Sequence, residues 1–308
     1  MMLSSKFFSG LIFTQLVIIL ICTNCTTKEK QTRAEIENEW ISLWNGKDFS
    51  GWIKFLAKPH PDTDFPGMER GADGKYTRRV GLNNDPLQVF SVVEENGKPA
   101  IRISGVVFGT ISTVEAFDNY HLKLQFKWGE DRHPPRQSAL RDSGLLFHCF
   151  GGPDGLPGSP WPHSQEFQIQ ETDLGDFWAI GNVKMDAPCL KMENSDLYKY
   201  DPAGEMRTFF HRHQPQQWSD RRIVKNVDNE KNHGEWNELE LICSGDSSIF
   251  VVNGTVVNRL YNSKRQSENG DISLVRGNIS LQSEGAELYF RDIYLRKISA
   301  VPEEYRSS

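Results

Sequence analysis

From Trp40 onward, hydrophobic residues recur at every second position over short segments, and Gly, Pro, Asn and Asp break the segments apart. A period of two is that of a strand with one buried face, so the pattern predicts an all-β domain with little helix. His121 to Trp128 puts Leu122, Leu124, Phe126 and Trp128 on one face and His121, Lys123, Gln125 and Lys127 on the other, as a half-buried antiparallel strand does. Trp236 to Cys243 repeats this, with Leu239 and Leu241 inward and Glu238 and Glu240 outward. Ile249 to Val252 and Thr255 to Leu260 flank Asn253-Gly254, a pair that accepts the positive φ angles of a type I′ turn, so a hairpin is expected there. Gly277 to Ser283 and Glu287 to Lys297 form a C-terminal pair joined by Glu284-Gly285-Ala286. Apolar parity switches between Phe290 and Ile293, which predicts a bulge near Arg291-Asp292. Short helical turns are expected near 194–200 and 215–220. The irregular stretches 54–79, 130–143 and 151–162 are long enough to form functional rims.

The segment Ser164 to Gln170 says most about function. Alternation puts Glu166, Gln168 and Gln170 on one face and Phe167 and Ile169 on the other. A buried strand would not carry three long polar side chains without partners, and a solvated one more often shows Lys, Thr or Ser. One carboxylate between carboxamides suits the floor of a sugar site, where hydroxyls need donors and acceptors in fixed places and a carboxylate serves as general base or cation ligand. The alternative is an ordinary exposed strand of a sandwich.

The remaining features bound the class. Lys6, an apolar run from Phe7 to Cys22, and then Thr23, Asn24 and Cys25 read as an export signal, too short for a membrane span of about 20 residues. A cysteine closing such a run points to lipoprotein processing, with Cys25 the expected lipid attachment site, Cys22 its competitor, and a signal or anchor without lipid the plainer alternative. Residues 1–25 are thus expected to be signal and anchor, 26–39 a flexible tether, and 40–300 the folded domain of a lipid-anchored cell-envelope protein in the periplasm or outer membrane. A net charge of −6 argues against nucleic acid or an anionic membrane surface as ligand. Cys149, Cys189 and Cys243 show no metal-ligand spacing and no disulfide framework; Cys149 and Cys243 read as buried fillers within strands.

Seven motifs occur in order: Leu43-Trp44-Asn45-Gly46-Lys47-Asp48 with Gly51-Trp52, Ser143 to His148, Glu166 to Ile169, Gly234-Glu235-Trp236-Asn237, Val252-Asn253-Gly254, Leu281 to Ala286, and Phe290 to Ile293. Together, over about Trp40 to Ile298, they make the chain resemble the 3-keto-disaccharide hydrolase domain family. The resemblance implies a concanavalin A-like jelly roll of two antiparallel sheets with a concave sugar-binding face. It also implies cleavage of a glycoside whose C3 hydroxyl is already a ketone. The ketone acidifies the C2 hydrogen, a base removes it, the enolate expels the C1 substituent and water adds back. That needs a base at C2, positive charge at the C3 oxygen and an acid for the leaving group. A conventional glycosidase needs two carboxylates about 5 to 9 Å apart. Only one well-placed carboxylate is evident on the floor, which favours elimination.

Glu166 matches the family's strand glutamate and is the candidate base or cation ligand. Arg141 is grouped with the substrate-binding residues, and is the obvious partner should Glu166 be ion-paired instead. His148 ends the strand Gly144 to Phe150 at a position where relatives more often carry Arg. Its imidazole would assist catalysis or, with Glu166, hold a divalent cation, the one cofactor foreseen; a satisfied core histidine is the alternative. Asp173, Asp176 and Trp178 follow the floor strand, as carboxylates beside an aromatic face do in pyranose sites, although Trp178 could equally be core. Trp161 and His163 are candidate lid residues, or simply surface packing. His211 and His213 flank Arg212 and are read as groove-edge residues. Gln282 and Glu284 either reach the groove or mark a hairpin end. A carbohydrate is the expected partner. The rival readings are a non-catalytic carbohydrate-binding module and an endo-glycosidase completed by Asp173 or Asp176.

Overall fold

Alternation of the kind seen in His163–Gln170 leaves each strand one apolar face to bury, and two sheets bury theirs against each other. The computed structural model describes residues 39–210 and 218–306. The expected signal segment with Cys25, nearly all of the expected tether, and His211-Arg212-His213 lie outside the described residues.

One sheet runs in the order Gly81–Leu82, Trp52–Leu56, Gly109–Thr113, Asn278–Ser283, Asp142–Phe150, His163–Gln170, Phe177–Ile180 and Arg222–Val224, with antiparallel neighbours throughout. The facing sheet runs Phe90–Glu95, Lys98–Ile103, Ala286–Lys297, Tyr120–Arg132, Asn237–Ser244, Ser247–Val252 and Thr255–Arg265. The last strand belongs to both sheets: its first half pairs with Ser247–Val252, and Tyr261, Lys264 and Arg265 pair with Val183–Lys191. Late strands inserted between early ones make this a concanavalin A-like jelly roll, as expected.

The core is aromatic and aliphatic. Phe167, from beneath the floor, stacks on Phe250 of the facing sheet with centroids 4.2 Å apart, and Phe147 meets the same ring edge-on at 5.8 Å. Each buried ring of this size contributes about 1.5–3 kcal/mol, and together they fix which face of the floor strand looks outward. Asn253 and Gly254 take φ of 48° and 80° in the expected hairpin. The register shift between Arg291 and Tyr294, with Asp292 at φ 50°, is the expected bulge. Cys149, Cys189 and Cys243 are buried and free. No helix among the described residues is long and apolar enough to cross a membrane; helix is confined to single turns such as Trp218–Asp220 and Glu303–Tyr305.

Two expectations change. The C-terminal strands are not a hairpin: Asn278–Ser283 joins the floor sheet and Ala286–Lys297 the facing one, so Glu284-Gly285 is a crossing between sheets. His121 and Glu240 do point away from the core, yet both are buried. The turn Glu303–Tyr305 and Trp40 cover them: Tyr305 donates to both oxygens of Glu240 at 2.9 Å, His121 Nε2 lies 2.7 Å from Glu240, and Trp40 meets the His121 ring edge-on at 5.0 Å.

Candidate active site

Outward-facing side chains of the floor sheet line a groove of about 900 Å³, room for a sugar ring and a substituent. Glu166, Gln168 and Gln170 lie along its floor. On the neighbouring strand they face Leu146, Gly144 and Asp142 in turn, and Glu166 faces Trp178 on the other side. Gly144 is what makes the floor polar. A Cβ there would lie 2.2 Å from Glu166 Oε1 and 2.6 Å from Gln282 Oε1, so only glycine leaves both side chains their place. Gln282 reaches the groove from the next strand, and Glu284 follows it on the same face.

Charge in the groove is dense. Arg136 Nη2 donates to Asp142 Oδ2 at 2.7 Å and to Gln170 Oε1 at 3.0 Å, and Gln170 donates onward to Asp173 at 2.5 Å. Asp173 also pairs with Arg222, 2.9 Å away, which pairs with Asp176 at 2.6 Å. This chain stiffens one side of the groove. Burial lifts the Glu166 carboxyl to about 8 from 4.5, the charge of Asp142 adds to the rise, and Arg221 and a Gln282 hydrogen bond partly offset it. Burial likewise lifts Asp142 to about 7 against the pull of Arg136. Glu284 is pushed well above the usual carboxylate range by burial and by Asp142 and Glu166 beside it. A buried group that exchanges its proton near neutrality, with an arginine close by, is equipped for acid–base chemistry. Asp142 Oδ1 and Gln282 Oε1 are buried acceptors with no protein donor, the condition that a sugar hydroxyl relieves.

The walls are aromatic. Trp178 lies under the guanidinium groups of Arg221 and Arg222, at 5.0 and 5.2 Å from the ring centre. Trp161, which also lines the groove, stacks on Phe108 with centroids 5.9 Å apart and planes 21° from parallel. Trp161 belongs to the Gly- and Pro-rich loop 151–162, which Arg79 ties down by donating to the carbonyls of Asp154 at 2.6 Å, of Ser159 at 3.2 Å, and of Leu156.

Residues 39–296 match the family of 3-keto-alpha-glucoside-1,2-lyase-like domains. The chain belongs to this family. It is a carbohydrate-active protein. Among curated proteins none matches it. A provisionally assigned glycosyl hydrolase from Parabacteroides distasonis is 18% identical at a TM-score of 0.46, over 87% of this chain and 96% of its own. The carbohydrate binding module CBM66 of Bacillus subtilis is 10% identical at 0.40, over 68% and 92%. The β-glucanase of Bacillus licheniformis is 9% identical at 0.39, over 84% and 97%.

For this family member the structure brings Glu166, Gln168, Gln170, Gln282, Trp161 and Trp178 into one groove and leaves other candidates outside it. His148 points the other way: its ring meets Tyr120 of the facing sheet at 5.9 Å and Phe147 at 5.4 Å, and burial pulls it down to about 4. It is the core histidine of the alternative reading and does not converge with Glu166 on one ion. Among the described residues no group of three or more His, Cys, Asp or Glu side chains is arranged to hold a metal. Arg141 is engaged by Glu171 at 2.8 Å and by the Gly129 carbonyl at 3.1 Å. His163 stacks on Phe150 at 4.8 Å and accepts from the Asn182 backbone. Asp173 and Asp176 are paired with Arg222 and are not among the residues that line the groove. The single-carboxylate expectation also falls, because Asp142 and Glu284 join Glu166 there.

Proposed function

We propose that the protein cleaves 3-keto-glycosides by elimination and rehydration, with Glu166 as the base. The observation that carries this reading is the Glu166 carboxyl itself, on the floor beside Gln168 and Gln282 and held by burial near the pH at which it can both take and return a proton. Ionised Glu166 takes the C2 proton, and the electron pair forms the enolate, whose oxygen at C3 is stabilised by the guanidinium of Arg221. The C1–O bond then breaks, the pair leaving with the aglycone oxygen. Water adds at C1 of the resulting enone and protonated Glu166 returns a proton to C2. The sum is hydrolysis. Trp161 and Trp178 offer apolar faces for the ring, and Asp142 and Gln282 offer acceptors for its hydroxyls.

The test compares an aryl 3-keto-glucoside with its unoxidised parent. Release from the keto-sugar alone, slowed by deuterium at C2, is the expected result. Glu166→Gln should lower kcat by roughly 10²–10⁴-fold with the fold unchanged by circular dichroism. A second reading, direct displacement with Glu284 opposite Glu166, is favoured by their shared groove; it predicts turnover of the parent sugar and no isotope effect. Saturable binding without release from either sugar would leave a carbohydrate-binding module.

A further inference from the structure

We propose that Glu284 is the acid that protonates the departing aglycone oxygen, and that it then activates the water that adds back. This deepens the elimination reading and rests on it. The argument begins with the order of strands across the floor. Glu284 follows Asn278–Ser283, Glu166 lies two strands away in His163–Gln170, and Arg221 precedes Arg222–Val224, two strands beyond. The base is thus between the carboxyl and the guanidinium, as C2 lies between C1 and C3 in the sugar. A ring placed with its C3 oxygen toward Arg221 presents its C1 oxygen toward Glu284.

Of the carboxyls lining the groove, Glu166 is the base, Asp142 has an arginine of its own and Asp196 is exposed, which leaves Glu284 for the acid. Arg136 is committed to Asp142 at 2.7 Å and to Gln170, and approaches Glu284 only to 4.0 Å. Asp142 thus has an arginine directly on it and Glu284 does not, and a further negative charge beside Asp142 and Glu166 in a buried site is unfavourable. The backbone that presents Glu284 is fixed. Gly285, at φ 84°, accepts a hydrogen bond at its carbonyl oxygen from the His133 N–H at 2.7 Å, and a Cβ on it would lie 3.0 Å from Arg136 Cβ. In the first step the C1–O bond breaks, its electron pair goes to the aglycone oxygen, and that oxygen takes the Glu284 proton. In the second, Glu284 carboxylate takes a proton from water as the oxygen bonds to C1, and protonated Glu166 returns its own to C2. Both residues are reset.

The experiment uses wild type, Glu284→Gln and Glu284→Asp with two 3-keto-glucosides, one losing nitrophenol, which departs without a proton, and one losing methanol, which does not. Glu284→Gln should lower kcat/KM for the methyl glycoside by about 10²–10⁴-fold and for the nitrophenyl glycoside by less than about tenfold. It should also accumulate the ultraviolet-absorbing enone, and Glu284→Asp should restore part of the methyl activity. Should the glutamine variant not fold, the wild-type enzyme alone decides, since an internal acid makes its rate nearly independent of aglycone acidity across a graded series. Equal losses on both substrates, no loss on either, or a steep wild-type dependence overturns the assignment of Glu284 while leaving elimination intact. Wild type inert toward both keto-sugars overturns elimination, and this proposal with it.

Discussion

Glu166 shows what a groove carboxyl does to the stability of the molecule around it. Unfolded, it releases its proton near 4.5; folded, burial first and Asp142 second hold that proton to about 8. Between those values the unfolded chain ionises while the native one does not, so the contribution is complete below 4.5 and is lost as pH rises toward 8. Asp142 acts in the same direction from 3.8 to about 7. Glu166→Gln should therefore melt with wild type in mild acid and above it at alkaline pH, the gap widening between. Thermal melts across that range check it, and a constant gap would mean that the carboxyl is not desolvated. Of these groove residues, alternation exposed Glu166, Gln168 and Gln170, because all lie on one regular strand. Asp142 begins its strand, Glu284 falls just past the end of another, and Arg136 and Arg221 lie off the strands altogether. No local period marks such positions.

At the scale of elements, irregularities decide which readings succeed. His148 seemed available to the groove because Gly144 to Phe150 reads as one strand. The register breaks between Phe147 and Phe150, His148 takes φ 49°, and its ring turns inward. Arg141 and Glu171 meet because they flank the paired ends of two adjacent strands, a pairing that sequence separation conceals. Asp173 and Asp176 were misplaced for a similar reason, since Arg222 arrives from a strand far along the chain. The loop 151–162, by contrast, was legible as a rim from its Gly and Pro content. Its position depends on Arg79, whose guanidinium serves three of its carbonyls. A charged hydrogen bond is worth about 1.5–3 kcal/mol, so Arg79→Leu should free Trp161 and raise KM for the keto-glycoside by roughly tenfold or more. The pH profile of kcat should stay as in wild type, because no proton carrier moves. Steady-state kinetics across pH would detect the opposite.

At the scale of the whole molecule, two distant pieces of chain close one surface. Trp40 and Tyr305 together seal the His121–Glu240 pair on the outside of the facing sheet, and Lys123 adds a third bond to Glu240 at 2.9 Å. Burial raises the Glu240 carboxyl, but the bonds from His121, Lys123 and Tyr305 outweigh it and bring the group down to about 2. Removing the hydroxyl with Tyr305→Phe should cost about 1–2 kcal/mol in urea unfolding and leave turnover untouched, since the groove is on the other sheet. A loss of activity in the folded variant would reveal coupling through the sandwich.

One link between the sheets has a different reach. Glu284-Gly285 is the whole passage from Asn278–Ser283 to Ala286–Lys297, so the side chain at its start takes its coordinates from both halves of the protein at once. Any slippage of one layer over the other misaligns that carboxyl before it exposes the interior. Catalysis would then fade while fluorescence and circular dichroism still report a native protein, making the reaction itself the finest gauge of how well the layers hold their register.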